Sequence, residues 1–140
     1  MSNKVFIDAN IILDYCLDRK EKENTKIILE EISKGNIRAY ISSSIIHILS
    51  YVLINIYGVE KTKETILAII GDIEMIDMPK EIVIQALHSK MNDIEDALQY
   101  YVALHHKIPV FISNDKKLKK EGSSALPVYS CLEYIKAYLQ

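Results

Sequence analysis

Cysteine is scarce: only Cys16 and Cys131 occur, one toward each end of the chain. Two thiols cannot build a four-sulfur metal site or a disulfide framework, so both are read as small buried hydrophobes in a reducing cytoplasm. A long apolar run is also missing. No stretch approaches the roughly 18 residues of a membrane span, so no membrane partner is expected. Met1-Ser2-Asn3-Lys4 leads straight into a strand signal, without the cationic and apolar segments of a leader. Excess basic charge is absent too. At a net charge of -2 the molecule has no global field for nucleic acid, and any such partner must be met by a local patch. Repeats, linkers and low-complexity tracts are lacking. With 140 residues, 49% of them hydrophobic, residues 1–140 are read as a single compact domain with one real core.

What is present alternates between short strand-like runs and longer helical ones. Val5 to Ile7 is a buried strand, and Asn10 opens a helix through about Arg19. Asn24 to Ile32 has helical apolar spacing and stops at Gly35. Ile37 to Ile41 alternates as a strand does. The serines after it offer an N-cap to an apolar helix, Ile45 to Tyr57, ended by Gly58. Val59 to Ile70 is amphipathic and closes at Gly71. Ile73 to Ile76 is a third strand, and Pro79 suits the first turn of a helix to about Lys90. A helix from Asp93 to His106 follows. Pro109 to Ile112 is a fourth strand, Leu126 to Tyr129 a fifth, and Cys131 to Leu139 a terminal helix.

Strands separated by helices imply a parallel sheet, because parallel neighbours need crossover connections. The fold class is therefore α/β, three layers around a central parallel sheet of four to five strands. Asp8 and Asp115 end strands, at the edge where such sheets bind ligands. With the acids of Asp93-Ile94-Glu95-Asp96 they suggest a divalent metal site. Asp93 and Asp96 are three apart and share a helix face, whereas Glu95 points away from it. Carboxylates hold a cation, which stabilises charge on a scissile phosphate and makes a bound water a better nucleophile.

The chain resembles the PIN-domain family, metal-dependent nucleases that include the VapC-type toxins. Phe6-Ile7-Asp8-Ala9-Asn10-Ile11-Ile12-Leu13-Asp14 is similar to the family's first-strand signature. Asp96-Ala97-Leu98, Ala103 and Val110-Phe111-Ile112-Ser113-Asn114-Asp115 resemble its second block. The resemblance implies a ribonuclease in which Asp8, Asp96 and Asp115 are catalytic and bind Mg²⁺ or Mn²⁺. Asn10 and Ser113 would orient these acids or contact phosphate. RNA would be held by Lys116, Lys117, Lys119 and Lys120 just beyond Asp115. A small antitoxin protein as partner and a homodimer are further implications.

One position departs from the family pattern. The family places an acid on the helix after the second strand, on or beside Ile48, yet residues 42–57 contain no carboxylate. Mg²⁺ keeps several waters, so fewer carboxylates can suffice. Asp93 is the candidate stand-in, and His47 beside the gap could ligate Mn²⁺. Plainer readings stand beside these. Asp8, Asp93 and Asp115 each suit a helix N-cap, the lysine run suits a solvated face, and Tyr100, Tyr101 and Leu104 suit packing. The rival function is a degenerate domain serving as an RNA-binding or protein-interaction module. A phosphatase with Asp8 as nucleophile wants a second acid two residues on, where this chain has Asn10.

Overall fold

The computed structural model describes residues 3–139. Its centre is a five-stranded, all-parallel sheet in the order β3-β2-β1-β4-β5. The strands are β1 (Lys4–Ile7), β2 (Arg38–Ser42), β3 (Ile73–Ile76), β4 (Phe111–Ile112) and β5 (Val128–Tyr129). Parallel strands covered on both faces read as continuous apolar runs, and side chains take alternate faces. Val5 and Ile7 of β1 enter one core while Phe6 enters the other; Ala39 and Ile41 of β2 part from Tyr40 in the same way.

The first face is covered by α1 (Ala9–Cys16), α2 (Lys22–Ser33), α3 (Ile45–Tyr57), α4 (Val59–Ile70) and α8 (Cys131–Tyr134). A π-helical turn, Ile135–Leu139, continues α8. The second face carries α5 (Lys80–His88), α6 (Ile94–His105) and α7 (Lys116–Glu121). This is the three-layer architecture that the strand-helix alternation implies. Free Cys131 lies in the first core and half-buried Cys16 packs against it. Among the described residues no helix is long and apolar enough to cross a membrane.

Differences from the expected boundaries have local causes. The first helix ends at Cys16 rather than near Arg19, because Asp18 turns the chain at φ 54, a left-handed conformation that Asp tolerates better than most residues. The second ends at Ser33, with Gly35 at φ 82 supplying the reversal. β4 and β5 pair over two residues each. Pro109 and Pro127 lie just before them and have no N–H to extend the ladder. The lysine strip after Asp115 forms α7, anchored by fully buried Leu118.

Candidate functional site

β1 and β4 are neighbours in the sheet although β2 and β3 lie between them in sequence. The strand order reverses there, which opens a crevice at the carboxyl ends. Asp8 follows β1 into that crevice and Ser113-Asn114-Asp115 follows β4.

Asp8 is 1% exposed and caps α1, accepting from the Asn10 backbone N–H at 3.4 Å. The Ser113 hydroxyl donates to Asp8 Oδ2 at 2.8 Å and accepts from the Asp115 backbone N–H at 3.1 Å. One buried hydroxyl thus joins the two strand ends. Asp115 caps α7, its Oδ1 accepting from Lys117 N at 2.9 Å and Leu118 N at 3.4 Å. Asp93 caps α6 through the Asp96 backbone N–H at 3.0 Å. Asn10 serves Asp8 through its main chain, its side chain being exposed.

These acids act on one another electrostatically. Burial pushes the Asp8 carboxyl up; hydrogen bonds from Ser113 and Asn10 oppose that, Asp115 adds repulsion, and Gln99 donates a further opposing bond. Asp96, 9% exposed, is pushed up to about 7 by burial and then by the charges of Asp8, Asp93, Asp115 and Glu121. Perturbed carboxylates at a sheet switch point are what a functional site leads one to expect.

This repulsion makes a stability prediction. Asp96 holds its proton more tightly folded than unfolded, from an ordinary value of 3.8, so protonation stabilises the fold below about pH 4 and that benefit is lost as pH rises through about 7. In chelator, the parent should melt higher near pH 6 than near pH 8. Asp96→Asn should melt above the parent at the higher pH and show a flatter profile. Scanning calorimetry checks this, and equal profiles would locate the unbalanced charge elsewhere.

The donor set suits a hard cation, since it consists of carboxylate oxygens whose mutual repulsion a divalent ion would relieve. Each of Asp8, Asp93 and Asp115 is also engaged by helix amides. Among the described residues no three or more His, Cys, Asp or Glu side chains are grouped closely enough to hold an ion. Asp8, Asp96 and Asp115 would hold one only if drawn closer together, with Asp93 adjoining Asp96.

Several neighbours escape sequence reasoning. Gln99, three residues beyond Asp96 on α6, is 3% exposed and accepts from the Ala9 backbone N–H at 3.2 Å. Glu121 reaches Asp96 electrostatically from the far end of α7. Asn114 accepts from the Cys131 N–H at 3.0 Å and donates to Asp14 at 3.4 Å, tying the β4 loop to α8 and α1. Glu95 lines a cavity of about 360 Å³ with His47, Ile48, Tyr51 and Val52, to which neither Asp93 nor Asp96 contributes. An acid therefore does face the segment of α3 that lacks one, and it comes from α6.

The four lysines are not equivalent. Lys119 is ion-paired to Glu133 of α8, whose carboxylate is held below its usual range by that lysine and by the Ser130 N–H. Lys116, Lys117 and Lys120 are exposed on α7. A cavity of about 340 Å³ beside the crevice is lined by Ser113, Asp115, Lys116, Lys119 and Glu133, among others.

Comparison with known proteins identifies the family and the fold. Ribonuclease VapC1 of Aquifex aeolicus (strain VF5) is 27% identical over 120 residues, covering 82% of this chain and 83% of the relative. The crystal structure of VapBC2 from Rickettsia felis, bound to a DNA fragment from their promoter, superposes with TM-score 0.71 at 17% identity. It covers 91% of this chain and 98% of the matched one. PAE2754 from Pyrobaculum aerophilum superposes with TM-score 0.56 at 13% identity, over 89% and 83% of the two chains. Both structural likenesses are likenesses of fold. The profile of the PIN domain matches residues 4–117, spanning β1, the crevice and the start of α7. This chain belongs to the PIN-domain family.

Proposed function

We propose that this protein is a ribonuclease that hydrolyses RNA phosphodiesters with the help of Mg²⁺ or Mn²⁺. The observation that carries the reading is the Ser113 hydroxyl, which joins the buried Asp8 carboxylate to the Asp115 backbone N–H, with Asp96 lying in the negative potential of both acids. The relative named ribonuclease VapC1 supports the reaction class. When bound, the cation supplies charge neutralisation at the phosphate and an acidified water.

The chain's own groups have separate tasks. Asp8, Asp96 and Asp115 hold the ion, and Asp93 keeps the first turn of α6 in place while adding negative charge beside Asp96. Ser113 fixes the Asp8 carboxylate relative to the β4 loop. Lys116, Lys117 and Lys120 meet the RNA backbone, whose accessible single-stranded form suits an open crevice. The partners proposed are a small antitoxin, by analogy with the VapBC2 assembly, and, from the family resemblance alone, a second copy of the chain.

The second reading, a degenerate module that binds RNA without cutting it, draws on the acid-free α3 and the ungrouped carboxylates. A labelled single-stranded RNA separates the two. Cleavage that appears with Mn²⁺ and stops with chelator supports the ribonuclease; binding without cleavage in either divalent ion supports the module.

The lysines give a prediction for RNA affinity. Measured in an Asp8→Asn background so that substrate survives, Lys117→Gln and Lys120→Gln should each weaken RNA binding and reduce the log-log salt slope by about 0.7. Lys119→Gln should change it less, because Glu133 already neutralises that charge. A larger loss for Lys119→Gln than for the other two would reverse this assignment.

A further inference from the structure

We propose that Gln99 is a positioning residue, holding the Asp8 carboxylate in register with the helix that carries Asp96. This rests on the metal-binding reading of Asp8 above. The two acids come from distant parts of the chain, β1 and α6, and their relative placement needs a physical link. Gln99 provides one. It lies three residues after Asp96 on α6, hence on the same side of that helix, and its side chain is buried.

The orientation of its amide follows from its partner. Oε1 accepts from the Ala9 backbone N–H at 3.2 Å, so that atom is the oxygen. Ala9 directly follows Asp8 and opens α1, so the bond ties the backbone beside that acid to the helix that carries Asp96. Leu or Met would fill the space without supplying that contact. Glu would keep an acceptor for Ala9 but add a negative charge to a cluster that already repels itself.

The plainer role for Gln99 is to satisfy the Ala9 N–H, one of the orphan donors at a helix start. The two roles differ in what they do to the ion. Gln99→Met, close in size to the parent, should remain folded by circular dichroism and bind Mn²⁺ at least about tenfold more weakly by calorimetric titration, as for other groups that orient a ligand. Its kcat on RNA should fall with KM unchanged. Ile82→Val, a packing change in the second core, should keep the parental Mn²⁺ affinity.

Parental Mn²⁺ affinity in folded Gln99→Met overturns the inference. Parental affinity in Asp8→Asn overturns instead the reading on which it rests, so the two failures are separable. Should Gln99→Met not fold, the parent itself decides by nuclear magnetic resonance with Mg²⁺. The Gln99 side-chain amide protons should shift saturably during titration. Binding of Mg²⁺ that leaves those signals in place also overturns the inference.

Discussion

Asp8→Asn should reduce Mn²⁺-supported RNA cleavage by at least about 100-fold, the upper end of what even groups behind a metal ligand contribute, and should leave the fold intact. The substitution removes charge while almost preserving shape. Asn caps helices as well as Asp does, so the bond from the Asn10 N–H survives. With its oxygen kept there, Asn turns Nδ2 toward Ser113, whose hydroxyl oxygen then accepts instead of donating. Burying a neutral amide is also less costly than burying a carboxylate whose proton affinity is already raised by burial. Circular dichroism and a cleavage time course with saturating Mn²⁺ check both halves. Parental cleavage by Asp8→Asn would remove Asp8 from the site.

Phe111→Ala should cost about 3–5 kcal/mol of stability, a large part of the roughly 5–15 kcal/mol that holds a domain folded. Phe111 is fully buried in β4, stacked on Phe6 at 5.1 Å between ring centroids and tilted against Tyr100 at 5.6 Å. It is the point where β1, β4 and α6 meet, and those elements carry Asp8, Asp115 and Asp96. β4 has only two residues, and its other one, Ile112, enters the opposite core. Loss of the ring therefore leaves the second face of that strand nothing to pack with. Thermal melting should fall by about 10–15 °C, and Phe111→Leu should recover more than half of that. A shift of only a few degrees for Phe111→Ala would mean that neighbouring side chains collapse into the space.

These predictions rely on features of unequal visibility in the sequence. Val5-Phe6-Ile7 is legible because a parallel strand buried on both faces needs no polar alternation. Asp8 after it is legible because the polar residue at the end of such a run must lie at the sheet edge. α7 was hidden by its length: six residues with a single buried apolar position, Leu118, make no periodic pattern. Gln99 was hidden for another reason. A polar residue within a helix reads as solvated, and only the Ala9 N–H, 90 positions away, makes it an interior group.

In the sequence the helix-cap and metal-ligand readings of Asp8, Asp93 and Asp115 compete. All three acids do cap helices, and capping does not exclude ligation. A carboxylate has about four acceptor sites and a backbone amide uses one. Helix starts at the carboxyl edge of a parallel sheet place acids where a cation can be met, so one residue type serves both purposes. The acid-free α3 gained meaning only in three dimensions, where Glu95 from α6 shares a cavity with His47 and Ile48.

The most direct test of the central claim is the anomalous scattering of Mn²⁺ in crystals of the parent protein grown at saturating metal. The expected result is one strong peak in the crevice between β1 and β4, about 2.1 Å from carboxylate oxygens of Asp8 and of Asp96 or Asp115. Well-ordered crystals that show no peak at Asp8, or place the ion only elsewhere on the surface, would contradict the account.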